Sequence, residues 1–107
     1  MPEVLEITPS QLEAMLRGAD PPVVVDVREP WETDICRIAG SQLIPMRSLP
    51  QRLQDLPRDR TIAIVCHAGA RSYYAAEWLL AQGYEAVSLR GGVDGWAVEV
   101  ERGMKRY

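Results

Sequence analysis

Six residues, Cys66-His67-Ala68-Gly69-Ala70-Arg71, set a thiol and a guanidinium at the two ends of a short glycine-containing loop. Ile62–Val65 precedes it, a short apolar run rich in β-branched residues, which predicts a buried strand. Ser72 to Leu80 follows as a helix-forming run. A cysteine between a strand end and a helix start has an unusual electrostatic setting. Loop N–H groups can turn inward as an anion-binding nest, and the helix N-terminus adds partial positive charge. Both favour the thiolate, which is the nucleophilic form. Arg71 adds a permanent cation with a donor fork suited to an oxyanion. Gly69 gives backbone freedom where side chains would obstruct the nest. A cysteine at a strand end is by itself more often a small buried hydrophobe. Its combination with Gly69 and Arg71 is what describes a reactive thiol in a cradle for a small anion, spanning His67, Ala68, Gly69, Ala70, Arg71 and Ser72.

His67 is the only histidine. Sequence neighbours need not face each other in a tight loop, so it reads as an exposed side chain that shapes the mouth and adds positive potential, not as a base for Cys66. With no second histidine a catalytic triad is not expected. Ser72 can donate to the thiolate or cap the helix; capping is the reading adopted.

The elements that must position this loop follow along the chain. Leu5-Glu6-Ile7 reads as a short edge strand. Thr8-Pro9-Ser10-Gln11 starts a helix, with Thr8 as N-cap, Pro9 in the first turn and Gln11 completing a capping box; Gly18 ends it. After Pro21-Pro22, Val23 to Val27 is apolar except for Asp26, as in a parallel strand covered on both faces. Ligands gather at the carboxyl ends of such strands, so Asp26 is a candidate support for the loop. It could accept backbone or arginine hydrogen bonds from the loop, pair with Arg28, or cap its own turn; a structural role is preferred. Arg28-Glu29-Pro30-Trp31-Glu32 begins a short helical segment, with Pro30 tolerated in its first turn and Trp31 expected to pack. Gln42-Leu43-Ile44 reads as a strand. Met46 to Leu56 carries Leu49, Leu53 and Leu56 at helical spacing, with Pro50 near its start. After the loop, Tyr74, Ala75, Trp78 and Leu79 mark the core face of a helix. Ala86-Val87-Ser88-Leu89 is a strand ending in the tight turn Arg90-Gly91-Gly92, Val93 to Val100 a last helix, and Gly103 to Tyr107 a tail.

Strands alternating with helical segments predict an α/β fold, a parallel sheet with helices on both faces. Right-handed crossovers then bring Asp26, Cys66 and Arg90 to one rim. At 107 residues one domain is expected, and the 47% apolar content is enough for a core. The net charge of −3 comes from mixed, unblocked charges, which argues against a nucleic-acid partner. No apolar run approaches about 18 residues, so no membrane-spanning helix is expected. Met1-Pro2-Glu3-Val4 lacks the pattern of a secretory leader, and a cytoplasmic location is the expectation. Two cysteines, Cys36 and Cys66, are too few for a disulfide scaffold or a cysteine zinc site. No metal or organic cofactor is expected. Cys36 reads as a packing residue.

Four segments in order carry a resemblance to the rhodanese family of sulfurtransferases. Cys66 to Ser72 resembles its active-site loop. Val24-Val25-Asp26-Val27-Arg28-Glu29 is similar to its early strand with Asp-x-Arg. Ile38-Ala39-Gly40-Ser41 through Ile44-Pro45 is similar to its second signature, and Leu89 to Trp96 to its Gly-Gly…Trp segment. The likeness runs from about Ile7 to Trp96. One departure stands out: Cys36-Arg37-Ile38 replaces the usual Gly-His-Ile. The resemblance implies a single rhodanese-like domain of about five strands. It also implies transfer of a sulfane sulfur from a small anionic donor such as thiosulfate, through a Cys66 persulfide, to cyanide, a thiol or a protein acceptor. Two alternatives share parts of the pattern. A cysteine phosphatase or arsenate reductase also uses cysteine, amide nest and arginine, although the related phosphatases carry a loop one residue longer. Rhodanese folds also serve as non-catalytic binding modules.

Overall fold

The computed structural model describes residues 3–107; Met1 and Pro2, the start of the stretch read for a leader, lie outside the described residues. Five strands, β1 (Leu5–Ile7), β2 (Val23–Asp26), β3 (Gln42–Leu43), β4 (Ile62–Val65) and β5 (Ala86–Leu89), form one sheet in the order β1-β5-β4-β2-β3. Every pairing is parallel. β4, flanked by β2 and β5, is buried along its whole length. That is why its sequence is continuously apolar where a one-sided strand would alternate.

The period-two geometry of the strands sorts the core into two layers. Ile62 and Ile64 point into a cluster with Val25, Ala75, Ala76 and Leu79, while Ala63 and Val65 point into one with Val24, Leu12, Val93 and Trp96. Helix α3 (Ala70–Ala81) therefore covers one face, and α1 (Pro9–Leu16) and α4 (Gly92–Glu99) cover the other. α1 begins as its sequence predicts: the Gln11 N–H donates to Thr8 Oγ1 at 3.1 Å and the Thr8 N–H to Gln11 Oε1 at 2.8 Å.

Three expectations are corrected. Met46–Asp55 is a 3-10 helix, not an α-helix. Pro50 within it has no N–H to offer an i−4 carbonyl, and the tighter winding eclipses residues three apart, so Met46 aligns with Leu49 and Leu53 with Leu56. Trp31, on the short helix α2 (Pro30–Ile35), is exposed at 60%, its ring edge-on to Tyr107 with centroids 6.0 Å apart. Tyr74 is 63% exposed and so lies off the core face of α3 that Ala75, Ala76 and Leu79 occupy.

The turn from β5 into α4 is pressed against the end of β4. The Val93 N–H donates to the Cys66 carbonyl at 2.8 Å, and the Asp94 N–H to that of His67 at 3.1 Å. Gly92 makes this approach possible: a Cβ there would lie 2.4 Å from both carbonyl oxygens, at a φ of +59°. Gly92→Ala is expected to cost about 2–4 kcal/mol, since backbone on both sides of the clash must move. Urea unfolding of the variant checks this; a loss under about 1 kcal/mol would show that the turn can open without cost.

Candidate active site

Cys66 follows β4 directly and is 1% exposed. α3 starts at Ala70, two residues earlier than the helix-forming run suggested, so the connection is only Cys66 to Gly69, and Arg71 and Ser72 sit in the first helical turn. Gly69 is the N-cap at φ +112°, and its close approach to Gly91 N, 3.2 Å from a built Cβ, leaves little room for a side chain. The left-handed cap turns the Gly69 N–H back onto Cys66 Sγ at 3.1 Å.

Ser72 is fully buried, and its Oγ is 3.4 Å from Cys66 Sγ. It does not hold the N-cap position, which is Gly69's, although its hydroxyl also lies 3.1 Å from the Gly69 carbonyl. Ser88 Oγ of β5 stands 2.8 Å away, so two buried hydroxyls sit in line with the thiol. Ser88 was missed in the sequence because it falls within an ordinary strand pattern. Its partner on β4 is Ile64, which puts it on the α3 face of the sheet.

The Arg71 guanidinium does not project alone. Its two terminal nitrogens each donate to Glu32 at 2.8 Å, as a fork-to-fork pair across 39 residues of chain. Glu32, read from sequence only as part of a helical segment, is the central carboxylate of the site. Oε2 also accepts the Glu29 N–H at 2.9 Å, and Oε1 the Tyr107 hydroxyl at 2.9 Å. With Arg71 as the largest cause, the Glu32 pKa is lowered to about 2. The pair likewise holds Arg71 firmly cationic.

Asp26 and Arg28 form a separate, fully buried support. Asp26 accepts the Arg28 backbone N–H at 3.1 Å and Nε at 2.9 Å, with Nη2 at 2.7 Å. The remaining Arg28 donors reach the Cys36 carbonyl at 2.7 Å, the Glu32 carbonyl at 3.2 Å and the Tyr107 hydroxyl at 2.9 Å. The Asp26 carboxylate thus pairs with Arg28, and no hydrogen bond among the described residues joins it to the Cys66–Gly69 loop. Cys36 is a half-buried free thiol beside Arg28, packed against the α1/α4 layer; Cys66 is free as well.

His67, expected to be exposed at the mouth, is half-buried, its ring stacked on Tyr107 with centroids 4.0 Å apart and planes 11° from parallel. Ala68 and Ala70 are exposed on the loop's outer side, and Arg90 is exposed at the end of β5. His67, Ala68, Asp94, Arg106 and Tyr107 line an open depression there of about 380 Å³.

The arrangement is a buried thiol at a parallel strand end, with an amide and a hydroxyl on its sulfur and a forked cation one turn away. The chain matches the Rhodanese-like domain family over residues 8–99, and it belongs to that family. It is 39% identical over 95 residues to a protein named Sulfurtransferase from Allochromatium vinosum, covering 88% of this chain and 89% of that one. It is 36% identical over 98 residues to Thiosulfate sulfurtransferase GlpE of Pseudomonas fluorescens, covering 90% and 87%. Among solved structures, the rhodanese-like domain protein of Staphylococcus aureus superposes with a TM-score of 0.83 at 35% identity, covering 87% of this chain and 91% of that one. No helix among the described residues is long and apolar enough to cross a membrane.

Because its pKa is depressed in the folded state, Glu32 contributes stability that is present above the ordinary value of 4.5 and lost as pH falls toward about 2. Glu32→Gln is therefore expected to lower stability at neutral pH and to flatten the loss of stability between pH 4.5 and about 2. Urea midpoints measured across that range check it; an unchanged acid limb would show that Glu32 is ordinary in the folded protein.

Proposed function

We propose that this protein is a thiosulfate-type sulfurtransferase that works through a persulfide on Cys66. The observation that carries the reading is the sulfur's setting: Gly69 N–H at 3.1 Å and Ser72 Oγ at 3.4 Å, at the start of a helix bearing Arg71. The Cys66 thiolate attacks the sulfane sulfur of thiosulfate. The sulfur–sulfur bond of the donor breaks, sulfite leaves with the bonding pair, and Cys66 carries the persulfide. Cyanide or a thiolate then attacks the outer sulfur, forming thiocyanate or a new persulfide and returning the Cys66 thiolate. No electron is gained or lost overall. This is covalent catalysis in two displacements.

The loop amide, the Ser72 hydroxyl and Arg71 are the groups that stabilise the donor, the departing sulfite and the persulfide anion. A thiol on a partner protein is an admissible acceptor, because the loop's outer side, at Ala68 and Ala70, is exposed. A relative named for thiosulfate sulfurtransfer, matched over most of both chains, supports thiosulfate as donor. The reading also implies action in the cytoplasm, without metal or organic cofactor. The six-residue span from Cys66 to Arg71 favours sulfur transfer over phosphate chemistry, since the related phosphatases carry a loop one residue longer to hold the phosphate.

Intact-protein mass after incubation with thiosulfate tests the reading. One added sulfur on Cys66, removed by cyanide as thiocyanate and absent in Cys66→Ala, is the expected result. No adduct from thiosulfate, a polysulfide or a low-molecular-weight persulfide would overturn it. Activity on an aryl phosphate instead would point to the phosphatase reading. Arg71→Ala is expected to lower kcat/KM for thiosulfate roughly 10²-fold through lost anion stabilisation. An unchanged kcat/KM would remove Arg71 from that role.

A further inference from the structure

The segment after α4 lies outside the family match at residues 8–99, yet it is anchored three times as it returns to the site. Met104 is buried in the layer with Ile7, Leu12 and Trp96. Arg106 makes a two-pronged pair with Asp94, at 2.7 and 3.0 Å, at the start of α4. Tyr107 then lies between the loop and α2. Its hydroxyl accepts from Arg28 Nη1 and donates to Glu32 Oε1, both at 2.9 Å, and its ring stacks on His67. Burial pushes the phenol pKa up, so the hydroxyl keeps the proton it donates to Glu32.

We infer that Tyr107 is a positioning residue of the active site: its ring holds His67 and its hydroxyl holds Glu32, and through Glu32 the Arg71 fork, in place beside Cys66. The inference deepens the proposed function and rests on Cys66 being the reacting thiol. Its physical content is orientation. His67 on the loop and Arg71 in the first turn of α3 are basic side chains that the loop itself does not hold. Arg71 is held by Glu32 and His67 by the tyrosine ring. Glu32 in turn has four donors, and the Tyr107 hydroxyl is the only one that ties the carboxylate to Arg28 through a shared side-chain atom. Without that bridge the Glu32 carboxylate keeps its two hydrogen bonds to Arg71 but loses its own tie to the fully buried Arg28, which then reaches Glu32 only at its backbone carbonyl, 3.2 Å away. Donor anions then meet a less ordered site. The effect falls on binding of the anion, while the Gly69 amide and Ser72 on the sulfur are untouched.

The full chain and its Tyr107→Phe and Tyr107→Ala variants separate ring from hydroxyl. The chain has one histidine, so His67 gives a single set of imidazole signals by NMR. These should stay near the wild-type position in Tyr107→Phe and move downfield in Tyr107→Ala, where the stacked ring is gone. With thiosulfate, KM should rise about threefold in Tyr107→Phe and about tenfold in Tyr107→Ala, with kcat little changed. A KM within about twofold of wild type in both variants overturns the inference, as does a matching fall in kcat alone. If Tyr107→Ala does not fold, an unchanged KM in Tyr107→Phe is sufficient to overturn it.

A second readout does not need sulfur transfer. Cys66 is alkylated with iodoacetate and with iodoacetamide, the product being mapped by mass to distinguish it from Cys36. The anionic-to-neutral rate ratio reports how well the cations face the sulfur. It should fall about threefold or more in the variants. An unchanged ratio overturns the inference. A lowered ratio in a protein that transfers no sulfur from any donor would sustain Tyr107's role and sink the sulfurtransferase reading.

Discussion

A carboxylate taken out of water must be repaid in hydrogen bonds, and Glu32, 4% exposed, takes four. Two come from Arg71 on α3, one from the Glu29 backbone at the start of α2, and one from Tyr107 after α4. Three chain segments that share no sheet pairing are thereby held in one arrangement. The debt of one buried charge orders the mouth of the loop. Asp26 and Arg28 do the same a step deeper, where both side chains are fully enclosed and every buried polar side-chain atom among the described residues has a partner.

This network is close to charge-neutral. Asp26 balances Arg28, and Glu32 balances Arg71. A site with a free arginine would attract any anion from a distance; here the guanidinium is committed and oriented, so its contribution is directional. Backbone adds to the positive potential at the sulfur: the Gly69 N–H, held in place by a left-handed cap, and the start of a helix 12 residues long. Groups of that kind need no reorganisation when charge develops, the condition under which electrostatic stabilisation is most effective.

The sheet supplies rigidity. β4 ends at Val65 beside Asp26 of β2, and Val27 N–H donates to the Val65 carbonyl at 3.0 Å, so the two strand ends are coupled up to the thiol. On the other side the carbonyls of Cys66 and His67 are taken by the first N–H groups of α4. The loop is thus bound by its own backbone from both flanks, and Gly92 is the residue whose lack of a Cβ allows it.

What the sequence determined by itself was local. Apolar runs, unbroken in β4 and interrupted only by Asp26 in β2 and Ser88 in β5, specified these strands because a strand covered on both faces has little polar side to show. Thr8 and Gln11 specified the start of α1 because a capping box closes within four residues. Cys66, Gly69 and Arg71 marked the loop because their chemistry and spacing are contained in one turn of chain. Tertiary structure decided what depends on partners distant in sequence. Glu32 meets Arg71, Ser72 meets Ser88, and Tyr107 meets His67 only after the sheet is assembled, and nothing in the neighbourhood of any of these residues announces it. The same reason left Trp31 and Tyr74 exposed: helical spacing says which residues share a face, but whether a second layer covers that face is settled by the other elements.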